Sequence, residues 1–268
     1  YFTIMDLNLR GKRAFISGST SGIGFATAKM LLTEGVEVYV NGRSSENVIK
    51  AVNDLQTQVD GAKVFGLVAD FNNPQEVEAL FTQLSGVDIL INNVGIYNSQ
   101  SFFETPVQDW KDQFQVNFMS GVHLSQYYLP KMLQKNWGRI IFISSECAYL
   151  VPTDMISYST TKAAMHALSR GLAQLTKGSD VTVNTIVPGS TLSEGAKDFL
   201  SNKAKLDKTT PMAVEASFFK EERTQSLLER FASVDEVSSA ILYLCSSLSS
   251  ATNGSVFKVD GGSSGGVL

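Results

Sequence analysis

The sequence predicts an α/β fold: a doubly wound sheet of seven parallel strands with helices on both faces. Three observations lead there. The first is a set of short apolar runs, RAFISG (13–18), VEVYVN (36–41), KVFGLVAD (63–70), VDILINN (87–93), RIIFISS (139–145), VTVNTIV (181–187) and SVFKVD (255–260). Near-continuous hydrophobicity is what strands need when both faces of a parallel sheet are covered. The second is the set of longer helical periods between them, at 22–34, 45–59, 74–84, 106–134, 156–178, 192–202 and 234–247. The third is their alternation along the chain, which right-handed crossovers wind into layers above and below one sheet.

The 268 residues, 43% hydrophobic and 18% charged, suit one domain over 1–268 with a substantial core. Net charge is -4 and the basic residues are scattered, so neither nucleic acid nor an anionic membrane surface is an expected partner. No apolar run has the length of a membrane span, and YFTIMDLNLRGK lacks a secretory apolar core; a soluble, cytoplasmic protein is expected. Cys147 and Cys245 form neither a disulfide framework nor a metal cluster and read as core residues. His123 and His166 lack neighbours in ligand spacing, so no metal is expected.

After the first strand, SGSTSGIG (17–24) leads straight into a helix. Gly18, Gly22 and Gly24 allow a tight turn, close approach of a pyrophosphate and close helix-strand packing, with helix N–H groups facing the phosphates. The spacing matches neither G-x-G-x-x-G nor a nucleoside triphosphate loop, which needs a following Lys. The second strand ends in NGRSSE, where an acidic residue would hold the ribose hydroxyls of NAD. Gly42 stands there instead, and the guanidinium of Arg43 suits a 2'-phosphate. NADP(H) is therefore the preferred cofactor, with NAD(H) as the alternative.

Strand five ends at Ser145, and YSTTK (158–162) sets Tyr158 and Lys162 at i and i+4 on one helix face. A phenol beside an ammonium is a proton donor whose affinity the cation lowers, and a serine hydroxyl can hold the substrate oxygen near it. The segment of about 190–230 interrupts the alternation after a strand's carboxyl end and reads as a substrate lid, or else as a surface helical hairpin. Its Phe199, Met212, Phe218 and Phe219 are pocket walls or the buried stripe of short helices.

With SGSTSGIG, Asp70, NNVG (92–95), Asn117, Ser145, YSTTK and the Pro188–Gly189 pair in order, the chain resembles the Rossmann-type short-chain dehydrogenase/reductase family, and its NADP(H)-preferring 3-oxoacyl-[acyl-carrier-protein] reductases in type. The resemblance covers about residues 10–262. It implies an oxidoreductase that moves hydride between nicotinamide and a carbonyl or secondary alcohol, on a small-molecule substrate. Tyr158 is implied as general acid/base, Ser145 as the substrate-oxygen ligand and Lys162 as ribose ligand and tuner of the phenol. Asn117 is implied to anchor a proton-relaying water. Gly18, Ser19, Ser21, Gly22, Ile23, Gly24, Arg43, Asp70, Asn92, Gly95, Tyr158, Lys162, Pro188, Gly189 and Thr191 are implied to line the cofactor. A homotetramer or homodimer is implied, with helices 106–134 and 156–178 at one interface. Val94 replaces the usual alanine of NNAG, and Ser17 the usual threonine. The rival readings are an NAD-dependent alcohol or sugar dehydrogenase and a non-catalytic dinucleotide sensor. The intact Asn117, Ser145, Tyr158 and Lys162 set argues against the sensor.

Overall fold

A computed structural model describes residues 6–266. Its strands are β1 (Arg13–Ile16), β2 (Glu37–Gly42), β3 (Val64–Val68), β4 (Ile89–Asn92), β5 (Gly138–Ile143), β6 (Val181–Pro188) and β7 (Val256–Val259). They form one sheet in the order β3-β2-β1-β4-β5-β6-β7, with every neighbouring pair parallel. Successive side chains go to opposite faces. Ala14 and Ile16 of β1 join Ile141 and Ile143 of β5 in one core layer, while Phe15, Ile140 and Phe142 join the other.

The first layer is closed by α1 (Gly22–Thr33), α2 (Ser45–Gln58) and α10 (Val234–Cys245), through Leu31, Leu55 and Ile241. The second is closed by α3 (Pro74–Gln83), α5 (Ser120–Gln134) and α7 (Ile156–Leu175), through Leu80, Tyr128 and Met165. This double cover is why the strands are apolar along their length.

The helix expected over 106–134 is broken into α4 (Val107–Gln113), a π-helical turn (Phe114–Met119) and α5. Such wide turns concentrate at functional sites, and this one carries Asn117. A short helix, α6 (Cys147–Leu150), follows β5.

The irregular segment folds as α8 (Glu194–Leu206) and α9 (Pro211–Glu221). Ser193 caps α8 by accepting from the Ala196 N–H, and Thr210 caps α9 ahead of Pro211, which has no N–H to leave unsatisfied. Leu200, Ala204, Val214, Phe219 and Phe231 make a small core of their own, with the Phe218 ring stacked on Phe231 at 5.2 Å. Phe218 and Phe219 are thus the buried stripe, whereas Met212 is 77% exposed and packs nothing. The far end of the segment is pinned by the Leu227 and Leu228 N–H groups, which both donate to the Gly261 carbonyl (2.8 and 3.0 Å). No described helix is long and apolar enough to cross a membrane.

Candidate active site

The chain leaves β1 toward β2 and β3, then crosses back to lay β4 on the other side of β1. Ligands bind at such a reversal, beyond the carboxyl ends of the strands. The Ser17 hydroxyl spans it, accepting from the Asn93 and Val94 N–H groups at 3.0 and 3.1 Å. The Asn93 amide donates in return to the carbonyls of Ser17 (3.0 Å) and Gly18 (2.7 Å). Glycines are obligatory here. At Gly24 a Cβ would lie 2.6 Å from Asn93 Nδ2 and 2.8 Å from the Gly18 oxygen, and Gly18 has φ +61° with Val94 Cα at 2.8 Å from its would-be Cβ.

On one side of this latch opens a cavity of about 340 Å³, walled by Gly18, Ser21, Arg43, Asp70 and Gly95, together with Thr20 and Val94. Arg43 is exposed on its rim and makes no ion pair or hydrogen bond among the described residues. Asn41 secures the turn from beneath, accepting from the Gly18 N–H (3.1 Å) while its own amide donates to the Leu67 and Ala69 carbonyls.

A second cavity, of about 230 Å³, shares Gly95 and is lined by Ile23, Tyr97, Ser145, Tyr158, Lys162, Pro188, Gly189 and Thr191. The helical i, i+4 spacing does bring the phenol and ammonium together, with Lys162 Nζ 5.5 Å from the Tyr158 ring centre. Gly95 keeps the space between elements open: a Cβ there would sit 3.3 Å from Lys162 Nζ and 3.6 Å from Asn117 Oδ1. Asn117, 1% exposed, clamps the loop after β4 by accepting from the Ile96 N–H (2.7 Å) and donating to the Ile96 carbonyl (2.9 Å) and Thr161 Oγ1 (3.1 Å).

Burial dominates the electrostatics of the chain alone. The Lys162 ammonium donates to the Ile143 carbonyl at 2.8 Å, and burial pushes its pKa down to about 8. Burial pushes the Tyr158 phenol up, with Cys147, Tyr97 and Glu146 adding to the rise and the Ser145 hydroxyl opposing it. Loss of solvation disfavours the phenolate, so the phenol of the chain alone stays protonated around neutrality.

Three other residues differ from their expected places. Asn92, 3% exposed, points below the sheet edge toward Gly121 and Phe142, because side chains alternate along β4; Asn93 faces the cleft instead. Ser19 is fully buried, its hydroxyl donating to the Ile16 carbonyl and accepting from the Asn41 N–H. Gly22 lines neither cavity; its N–H donates to Glu194 Oε2 at 2.9 Å, so a carboxylate from the start of α8 sits on the glycine turn. Among the described residues, no group of three or more His, Cys, Asp and Glu side chains could hold a metal ion. Sequence reasoning passed over Thr20, Asn93, Tyr97 and Glu194. Thr20 was visible in SGSTSGIG and Asn93 in NNVG, while Tyr97 and Glu194 carry no local signal.

The family profile for short chain dehydrogenases matches residues 12–204. The chain belongs to that family. It is 42% identical over 258 residues to an uncharacterized oxidoreductase, YvaG, of Bacillus subtilis, covering 96% of this chain and 98% of that one. It is 32% identical to the 3-oxoacyl-[acyl-carrier-protein] reductase FabG of Aquifex aeolicus, with 96% and 99% covered. The structure of L-sorbose reductase from Gluconobacter frateurii, complexed with NADPH and L-sorbose, superposes with a TM-score of 0.91 at 28% identity, covering 98% of this chain and all of that one. The short-chain dehydrogenases use nicotinamide cofactors on small-molecule substrates, and this chain is an oxidoreductase of that kind.

The depressed pKa of Lys162 predicts a pH signature in stability. Between about 8 and the ordinary lysine value of 10.5 the unfolded chain holds a proton that the native chain has released, so stability rises with pH across that window. Removing the amine with Lys162→Met should abolish this rise, leaving the variant's advantage over wild type smaller near pH 9.5 than near pH 7. Urea unfolding at both pH values measures it, and a pH-independent difference would contradict the buried-cation account.

Proposed function

We propose that this short-chain dehydrogenase is an NADP(H)-dependent carbonyl reductase in which Tyr158 is the general acid/base. The observation that carries the reading is the meeting of Ser145, Tyr158 and Lys162 in one cavity that shares Gly95 with the cavity under Arg43. The residues suit the dinucleotide. The glycine turn has no room for side chains at Gly18 and Gly24, and the free guanidinium of Arg43 on the rim offers a bidentate partner to a 2'-phosphate. Asp70 lines that cavity and would meet the adenosine, while Thr191, Pro188 and Gly189 line the second cavity and would border the nicotinamide. The L-sorbose reductase complex with NADPH supports the same preference.

When bound, NADPH supplies the hydride for the carbonyl carbon. Ser145 donates a hydrogen bond to the carbonyl oxygen and holds it beside the phenol. Tyr158 then gives its proton to that oxygen as negative charge develops there, a role suited to a phenol kept protonated by burial. Lys162, one helical turn away, compensates the phenolate left behind. Asn117 fixes the 95–97 loop that separates the two cavities.

NADPH oxidation with a panel of ketones tests the assignment. Tyr158→Phe should lower kcat by roughly a thousandfold while NADPH still binds; retained turnover would defeat the role of the phenol. Arg43→Ala should weaken NADPH binding about tenfold and leave NADH binding unchanged, and an unaltered preference would return the NAD-dependent reading. Glu194 already satisfies the Gly22 N–H, so its carboxylate competes with any phosphate at the start of α1. Glu194→Gln should therefore tighten NADPH roughly fivefold in a fluorescence titration, most at low salt. Weaker binding would mean that Glu194 helps to hold the cofactor.

A further inference from the structure

The loop after β4 presents Tyr97 to the cavity of Ser145, Tyr158 and Lys162, and its ring centre lies 5.8 Å from that of Tyr158 at a tilt of 59°. The backbone under it is fastened on both sides. Asn117 holds Ile96 through its N–H and its carbonyl (2.7 and 2.9 Å), while the Gln100 N–H donates to the Asp154 carbonyl at 2.7 Å and the Ser99 hydroxyl to the Asp154 carboxylate. Tyr97 is nevertheless 64% exposed. Its ring contributes little to the core, and it stands beside the phenol assigned above to proton transfer.

The rest of that wall says what the ring would meet. In the reduction proposed above, Ser145 and Tyr158 are taken by the carbonyl oxygen. Asn93 donates its amide hydrogens to the Ser17 and Gly18 carbonyls, the Ser144 hydroxyl donates to the Lys162 carbonyl, Thr191 Oγ1 to the Gly189 carbonyl and Lys162 Nζ to the Ile143 carbonyl. A polyhydroxylated chain would therefore meet donors already engaged, whereas the Tyr97 face, Ile23, Ile143 and Pro188 offer carbon. Lys162 is the one charged side chain on the wall, so an acid gains little there. We propose that Tyr97 is a specificity-determining residue of this reductase, and that its open ring face receives the flat, uncharged aryl group of an aryl ketone. The inference rests on the reading of Ser145, Tyr158 and Lys162 given above. Aromatic rings pair offset or edge to face with centres about 4.5–7 Å apart, and gain more than the area they bury. Tyr97 already stands within that range of the Tyr158 ring, so an aryl group one bond from the carbonyl carbon is within reach of its face.

The test is NADPH oxidation by the full chain on acetophenone, cyclohexyl methyl ketone and L-sorbose, with Tyr97→Ala, Tyr97→Leu and Tyr97→Phe beside wild type. Wild-type kcat/KM should be roughly tenfold or more higher on acetophenone than on L-sorbose, and about fivefold higher than on the cyclohexyl ketone. Tyr97→Ala and Tyr97→Leu should raise KM about tenfold for acetophenone and about twofold for the cyclohexyl ketone, with NADPH still bound, and so remove the preference between them. Tyr97→Phe should keep it. Wild-type turnover of L-sorbose or the cyclohexyl ketone equal to or better than that of acetophenone would overturn the inference alone, whether or not the variants fold. An acetophenone KM unmoved in Tyr97→Ala, or an equal fall across all three ketones, would overturn it too. A loss in Tyr97→Phe as deep as in Tyr97→Ala would give the role to the hydroxyl and defeat the ring. No wild-type turnover of any ketone with NADPH bound, or full activity in Tyr158→Phe, would remove the reductase reading and this inference with it.

Discussion

Everything at the cleft hangs on one hydroxyl. Ser17 follows β1 directly and receives two N–H groups from the loop after β4, so the strands on either side of the chain reversal are joined by side chain as well as by sheet ladder. The glycine turn, the Asn93 amide and the 95–97 loop take their positions from that junction. Gly18 and Gly24 belong to the same constraint, since any Cβ would force the two loops apart. Asn117, reaching over from the π-helical turn, fixes the loop's other end. The two cavities are thus separated by a loop held at both ends.

Within the second cavity, burial and charge pull in opposite directions. A lysine near a phenol favours the phenolate in water, yet desolvation penalises both charged forms. Lys162 answers by bonding the Ile143 carbonyl, which keeps its amine in place whether or not it carries a proton. The phenol and amine are therefore poised by their enclosure, and a bound cofactor would act on groups already aligned.

Seven strands were legible because a parallel sheet covered on both faces must be written as apolar runs. Ser145, Tyr158 and Lys162 were legible as a group because their spacing places them beyond one strand end and on one helix face. What escaped depended on distant partners. The π-helical turn answers to Ile96, twenty-one residues before Asn117, and no local propensity encodes it. Glu146 and Arg223 meet across seventy-seven residues. Other misses were readable in retrospect: Thr210 and Pro211 announce α9, and the two-residue period of β4 decides that Asn93, not Asn92, faces the cleft. The Tyr158 shift could not be read at all, since burial is a property of the whole fold.

The Gly189 backbone packs directly on Asp260, where a Cβ would approach within 2.7 Å, and its N–H bonds the Val259 carbonyl. Gly261, next in line, anchors the end of the α8–α9 segment. One wall of the second cavity and the anchor of the α8–α9 segment therefore both wait for β7. Domains fold as units, so a chain cut short of β7 would lack both at once.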